Sequence, residues 1–224
     1  MFKQKYFVAI AGNIGTGKTT LSSMLAERFG WHAHCEAVVN NPYLADFYGD
    51  MKRWSFPLQV YFLNSRVRAH QLITYDKHSA IQDRSVYEDA HIFARNLFES
   101  GDMERRDYEN YLELYQLIAD QLNAPDLIIY LRKSLPKLKE QIKKRNRDYE
   151  QKIPDQYLLN LNQYYEEWLS KYDLGQKLII ESDHLDYVAN PEHFDWICDQ
   201  IVANLPKTDQ LALPTLDREP VRVL

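Results

Sequence analysis

Eight residues, Gly12-Asn13-Ile14-Gly15-Thr16-Gly17-Lys18-Thr19, write G-x-x-x-x-G-K-[ST] immediately after the apolar run Tyr6 to Ala11. A strand feeding a glycine-rich turn that opens a helix is the setting a phosphate-binding loop needs. The glycines let the backbone curl until successive N–H groups face phosphate oxygens, and the helix N-terminus beginning near Lys18 adds partial positive charge at the same place. In that setting Lys18 bridges the β- and γ-phosphates and the Thr19 hydroxyl ligates Mg2+. The stretch Thr20 to Phe29 has helical spacing of its apolar residues, which suits the loop's exit better than a plain surface turn. The residues expected to hold a nucleotide are therefore Gly12, Asn13, Ile14, Gly15, Thr16, Gly17, Lys18, Thr19 and Thr20.

Further acids and bases are spaced to meet whatever that loop holds. Asp83-Arg84-Ser85 follows the short run Ala80-Ile81-Gln82. In an open α/β sheet the carboxyl ends of the strands face the ligand crevice, so both charged side chains point at the loop's ligand. There Asp83 holds Mg2+ through water or accepts a proton, and Arg84 stabilises charge on transferring phosphoryl oxygens. A surface salt link is the plainer alternative. Glu36 closes the weaker run Ala33 to Ala37 and by the same rule reaches the crevice. Its carboxylate suits a neutral hydroxyl nucleophile, taking the proton as the O–P bond forms, although a lone Glu at a strand end more often faces solvent.

Gln59, Phe62, Leu63 and Arg66 fall at i, i+3, i+4 and i+7, on one helix face. An amide and a guanidinium among aromatics can pair with a nucleobase edge; taken alone, the stripe reads equally as packing. Lys143-Lys144-Arg145-Asn146-Arg147 is either a solvated helix face or a lid that closes over ATP and brings arginines to the γ-phosphate.

The elements that must position these groups alternate between short apolar runs and longer helical patterns, the signature of βαβ units and a parallel sheet. The expected strands are Tyr6 to Ala11, Ala33 to Ala37, Ala80 to Gln82, Leu127 to Leu131 and Lys177 to Ile180. Helices are expected over Pro57 to Tyr75, Asp89 to Glu99, Arg105 to Leu122, Leu135 to Arg145 and Asp155 to Lys171. The stretch 205–224 has three prolines and no sustained period, so an irregular tail is expected after a single domain over 1–204. At 224 residues one substantial core suffices, and a net charge of −5 argues against a general nucleic-acid binder. Cys35 and Cys198 are far apart and outside any metal-ligand spacing, which fits a reducing cytoplasm. Lys3 and Lys5 before an apolar run have the look of a signal peptide, but cleavage there would remove the strand that launches the loop. No apolar stretch is long enough to span a bilayer as a helix.

Taken together, the residues resemble the deoxyribonucleoside kinase family, in its branch acting on deoxyadenosine, deoxyguanosine or deoxycytidine. The resemblance covers about three quarters of the chain and rests on Gly12 to Thr19, Glu36, Phe47-Tyr48 through Trp54-Ser55-Phe56 to Gln59, Arg66-Val67-Arg68-Ala69, Asp83 through Asp89, and Arg145-Asn146-Arg147 with Glu150. It implies a three-layer P-loop kinase fold of the α/β class, with a five-stranded parallel sheet flanked by helices and a short arginine-bearing lid over about 143–153. It also implies that Glu36 binds the sugar 5′-hydroxyl with Arg84 beside it, and that Asp83 is the other candidate proton acceptor, acting through Mg2+. Tyr48 and Glu150 match the pair that binds the 3′-hydroxyl. Gln59 matches the amide that pairs with the base, and Arg66 with Asp89 the polar pair deeper in the pocket, which goes with purines or cytosine. Arg145 and Arg147 match the lid arginines near the ATP phosphates.

Two positions depart from the family's usual pattern: Ala37 where Pro often follows the catalytic Glu, and Asp83 where animal members have Glu. Neither removes a needed chemical group. Asn40-Asn41-Pro42-Tyr43-Leu44 and the short lid look more like bacterial members, which tilts the expected acceptor toward deoxyadenosine or deoxyguanosine. The resemblance further implies a homodimer and feedback binding of a deoxynucleoside triphosphate. The rival readings are a nucleoside monophosphate kinase of thymidylate-kinase type, whose phosphate acceptor needs cations where Glu36 stands, and a P-loop nucleotide switch with no small-molecule acceptor.

Overall fold

β1, Phe7–Ala11, is buried at every position and lies at the centre of the sheet. In the computed structural model, which describes residues 5–35 and 41–207, β2 (His32–His34), β3 (Ala80–Asp83), β4 (Leu127–Arg132) and β5 (Gln176–Glu181) complete a parallel sheet in the order β2-β3-β1-β4-β5. Glu36, Ala37 and the 208–224 part of the expected tail lie outside the described residues. Continuous apolar runs mark strands buried on both faces, as in Leu127 to Leu131.

Alternation along β1 divides the core. Val8 and Ile10 join Ile129 and Leu131 against Leu21 and Leu25 of α1 (Lys18–Phe29) and Ile197 and Ile201 of α9 (Pro191–Asn204). Ala9 and Ala11 face the other way, with Ile128 and Tyr130, toward α3 (Met51–Tyr75) and α8 (Asp155–Lys171). Because successive strand side chains point to opposite faces, this one alternation produces the three layers.

Between these elements come α2 (Leu44–Gly49), α4 (Val86–Glu88), a π-helical turn Asp89–Ala94, α5 (Arg95–Glu99), α6 (Arg105–Ala119), α7 (Leu135–Arg145) and a 3-10 turn Glu150–Lys152. Two expectations need correction and one helix was missed. α3 begins at Met51 rather than Pro57, because the Asp50 carboxylate accepts from the Arg53 N–H at 3.1 Å and caps the helix there; Pro57 sits in its second turn. The helix expected over Asp89 to Glu99 is present but starts earlier, at Val86, and winds as a π-helix over Asp89–Ala94. The C-terminal helix α9 went unread, although Asn190 followed by Pro191 is a capping signature, and the Asn190 side chain does accept from the Glu192 N–H.

Candidate active site

Parallel register sets the site's geometry. Ile10 pairs with Asp83, so the chain leaving β1 into Gly12 and the chain leaving β3 into Arg84 emerge side by side. At the end of β1 the loop turns into α1 through Gly17, whose φ of +95° few side chains adopt and where an added Cβ would strike the Tyr187 hydroxyl. Asn13 stiffens the loop from behind, donating to Leu158 O at 2.8 Å and Asn162 Oδ1 at 2.7 Å, while Thr16 Oγ1 donates to Asn13 O. Lys18 is buried, and its ammonium donates to the carbonyl oxygens of Gly12 and Asn13 at 2.9 and 2.8 Å.

Asp83 and Arg84 are both buried beside the loop. The Thr19 hydroxyl donates to Asp83 Oδ2, and buried Asp83 Oδ1 has no hydrogen-bond partner among the described residues. A hydroxyl and an ionisable carboxylate in contact form the hard oxygen donor set that suits Mg2+. Arg84 has φ +68°, a left-handed conformation that costs a non-glycine residue about 1–3 kcal/mol and recurs at functional sites. The turn directs its guanidinium to Gly12 O at 3.2 Å and over the Phe93 ring at 4.3 Å.

Behind Arg84, Tyr165 Oη lies 2.8 Å from Gly12 O and 2.7 Å from Glu88 Oε2. Its one proton is shared between these two acceptors, which ties the loop carbonyl to the Glu88 carboxyl through a single hydroxyl. Glu88 Oε1 meanwhile accepts from the Ser85 N–H at 2.9 Å. Burial raises the Glu88 carboxyl above its ordinary value, opposed by the charge of Arg84 and by the hydrogen bond from Tyr165.

A cavity of about 560 Å³ runs from the loop, past Asp83 and Arg84, to α3. Gln59, Phe62 and Arg66 line its far end; Gln59 Oε1 is buried with no hydrogen-bond partner among the described residues, and Arg66 lies over the Phe62 ring at 4.9 Å. Asp89 is not itself a wall of the cavity. It is wholly buried behind Arg66 and forms an ion pair with it. Tyr48 forms part of the side wall and stacks on Tyr149 with ring centroids 5.5 Å apart. Burial raises the Tyr48 phenol well above its ordinary range, so it remains a hydrogen-bonding hydroxyl.

The segment after α7 closes the remaining side. α7 ends at Asn146 in a left-handed conformation, and its last turn carries Lys143, Lys144 and Arg145, which favours the negative end of the helix dipole. Arg145 and Arg147 both donate to the buried Glu150 carboxylate, Arg147 Nη1 at 3.2 Å and Arg145 Nε at 2.9 Å. All three side chains line the cavity, as do Ile14, Gly15, Gly17, Lys18, Thr19 and Thr20 of the loop. Gly12, Asn13 and Thr16 stand one layer back and shape it.

The deoxynucleoside kinase family model matches residues 8–206. The chain belongs to the deoxynucleoside kinase family. It is 37% identical over 213 residues to the deoxyadenosine kinase of Dictyostelium discoideum, covering 95% of this chain and 86% of the relative. It is also 37% identical over 195 residues to the deoxyguanosine kinase of Bacillus subtilis, covering 85% and 93% respectively. The solved structure of deoxyadenosine kinase from M. mycoides with bound dATP superposes with a TM-score of 0.78 at 29% identity, covering 88% of this chain and 99% of that one. As a deoxynucleoside kinase the protein is an enzyme that phosphorylates nucleosides at the 5′-hydroxyl, a salvage reaction, and neither rival reading is favoured.

Sequence reasoning about this deoxynucleoside kinase missed Tyr165 and Tyr187, which donate to carbonyl oxygens of the loop, and Glu88, which accepts from Tyr165. It also missed Phe93 and Tyr157, which line the cavity. Tyr157 and Tyr165 belong to the apolar stripe of α8, and nothing in that periodicity separates a wall of the site from ordinary core.

Proposed function

We propose that this deoxynucleoside kinase transfers the γ-phosphoryl group of ATP to the 5′-hydroxyl of a purine deoxyribonucleoside, deoxyadenosine or deoxyguanosine, with deoxycytidine as the next acceptor. One observation carries the reading: a single cavity has the phosphate loop at one end and a buried amide and guanidinium at the other. Its volume of about 560 Å³ falls within the range of about 300–1,000 Å³ usual for small-ligand sites.

The residues divide the work by position. The loop backbone and Lys18 bind and orient the triphosphate, and Thr19 with Asp83 would hold Mg2+, which supplies positive charge to the transferring group. Arg84, fixed by its backbone turn, and Arg145 and Arg147 of the lid neutralise the charge that develops on the phosphoryl oxygens. Glu36 is the candidate base for the hydroxyl proton, with Asp83 the other; β2 leads into Glu36 through Cys35, itself a wall of the cavity. Tyr48 and Glu150 bind the sugar 3′-hydroxyl. A base edge would supply the partner that Gln59 Oε1 lacks, and Arg66, held by Asp89, would receive a purine or cytosine acceptor atom. Thymine sets a methyl and a carbonyl against these groups and leaves buried polar atoms unpaired, which costs about 1–3 kcal/mol for each group.

Deoxyadenosine kinase of M. mycoides has been solved with dATP and with dCTP bound, which supports feedback here by a deoxynucleoside triphosphate that fills the nucleoside pocket. A homodimer is supported by Leu72, Tyr75 and Leu117, exposed apolar residues on α3 and on α6, which packs against it. Sedimentation measures it directly, and a monomer at micromolar concentration would contradict it. A cytoplasmic setting is in keeping with two unpaired cysteines, and no helix among the described residues is long and apolar enough to cross a membrane.

A panel of the four deoxynucleosides and their ribose counterparts, assayed with ATP and Mg2+ with and without dATP, tests the assignment. Deoxyadenosine or deoxyguanosine is expected to give the highest kcat/KM, thymidine the lowest, and dATP to compete with the nucleoside. Preference for thymidine or for ribonucleosides would overturn it.

A further inference from the structure

Outside the cavity, the sheet edge gathers three metal-ligating side chains from two separate segments. His32 comes from β2, the outermost strand, held in register by its N–H bond to Ser79 O at 2.9 Å. Asp76 ends α3, and His78 follows it in the turn that leads to β3. One ligand atom from each of the three lies within 4.8 Å of the other two. Each histidine Nδ1 approaches a different oxygen of the Asp76 carboxylate, His78 at 2.8 Å, and the two rings lie 4.5 Å apart between centroids.

The donor set is specific in kind. Asp76 also accepts from the His78 backbone N–H at 3.0 Å, which fixes the carboxylate's orientation. A fixed carboxylate and two imidazoles suit a borderline divalent ion, whereas Mg2+ favours sites built from oxygens and water. The side chains of His32 and His78 are 52% and 63% exposed, which leaves solvent free to complete the coordination. His34 lies two residues along β2, on the same strand face as His32.

We propose that His32, Asp76 and His78 bind a borderline divalent cation, represented by Zn2+, which ties β2 to the turn between α3 and β3. β2 has three residues and carries the chain directly into Cys35 and then Glu36, so an ion on this edge would steady the strand that delivers the candidate base. An ion that binds the native chain and not the unfolded one stabilises it by mass action.

The test is calorimetric titration of the full chain with Zn2+ in buffer holding excess Mg2+, repeated on the double variant His32→Ala/His78→Ala. One equivalent of Zn2+ is expected on the wild type, with a rise in Tm. Even loss of an outer partner to a metal ligand costs about 10–100-fold in affinity, so the double variant should bind at least about tenfold more weakly. Zn2+ should also protect His32 and His78 of the wild type from acylation by diethyl pyrocarbonate, a readout that stands whether or not the variant folds. No bound Zn2+ on the wild type, equal affinity in the two proteins, or unprotected histidines would each overturn the proposal.

Discussion

The carbonyl oxygen of Gly12 faces donors from Lys18, Arg84 and Tyr165, which come from three separate segments of the chain. Through Tyr165 the loop's shape is thereby coupled to Glu88. Replacing Glu88 by Gln preserves every bond, since the amide nitrogen donates to Tyr165 and the amide oxygen accepts from Ser85. We expect Glu88→Gln to keep kcat within about threefold, while Glu88→Ala leaves buried partners unsatisfied and costs about 1–3 kcal/mol of stability. The sign with pH follows from the raised carboxyl of Glu88. Above its unfolded value and below its native one, the native state keeps a proton the unfolded state has released, so rising pH lowers this residue's contribution to stability. Urea unfolding across a pH series should show that slope in the wild type and lack it in Glu88→Gln; identical slopes, or a Gln variant as damaged as the Ala variant, would contradict this role of Glu88. At this scale the loop and Asp83-Arg84 were legible because their chemistry is written in consecutive residues. Tyr165 and Tyr187 were not, because they meet the loop across separations of 153 and 170 positions through its backbone oxygens.

Among the elements, α3 and the π-helical turn after α4 are joined at one buried ion pair. α3 presents Gln59 and Arg66 on a single face, as their spacing implied, and the π-helical turn begins at Asp89, wholly buried behind Arg66. Removing one partner of such a pair strands the other, at about 3–5 kcal/mol. Asp89→Ala should accordingly lower stability by about that amount and raise KM for the purine nucleoside much more than KM for ATP. Equal effects on both KM values would show that Asp89 merely supports the core. The central strands were readable because burial on both faces leaves them no alternation, and α7 and α8 because their stripes keep one period. The π-helical turn has no periodic signature of its own. The start of α3 was misplaced because Pro57 looks like a first-turn proline, while the cap that decides the matter is Asp50.

For the whole molecule, one alternation along β1 separates the layer of α1 and α9 from the layer of α3 and α8. The parallel register then brings the ends of β1 and β3 to the same rim, where the loop meets Asp83 and Arg84. The five-stranded parallel sheet follows the expected fold class, but the order of its strands could not be read from local pattern, because pairing joins segments many residues apart. The central functional claim is that the acceptor is an uncharged sugar hydroxyl rather than a phosphate. It is tested most directly by measuring ADP release from ATP and Mg2+ with deoxyadenosine or with deoxyadenosine monophosphate as acceptor. The account predicts rapid turnover with the nucleoside, yielding the 5′-monophosphate, and little with the monophosphate; a preference for the monophosphate, or turnover indifferent to either, would contradict it.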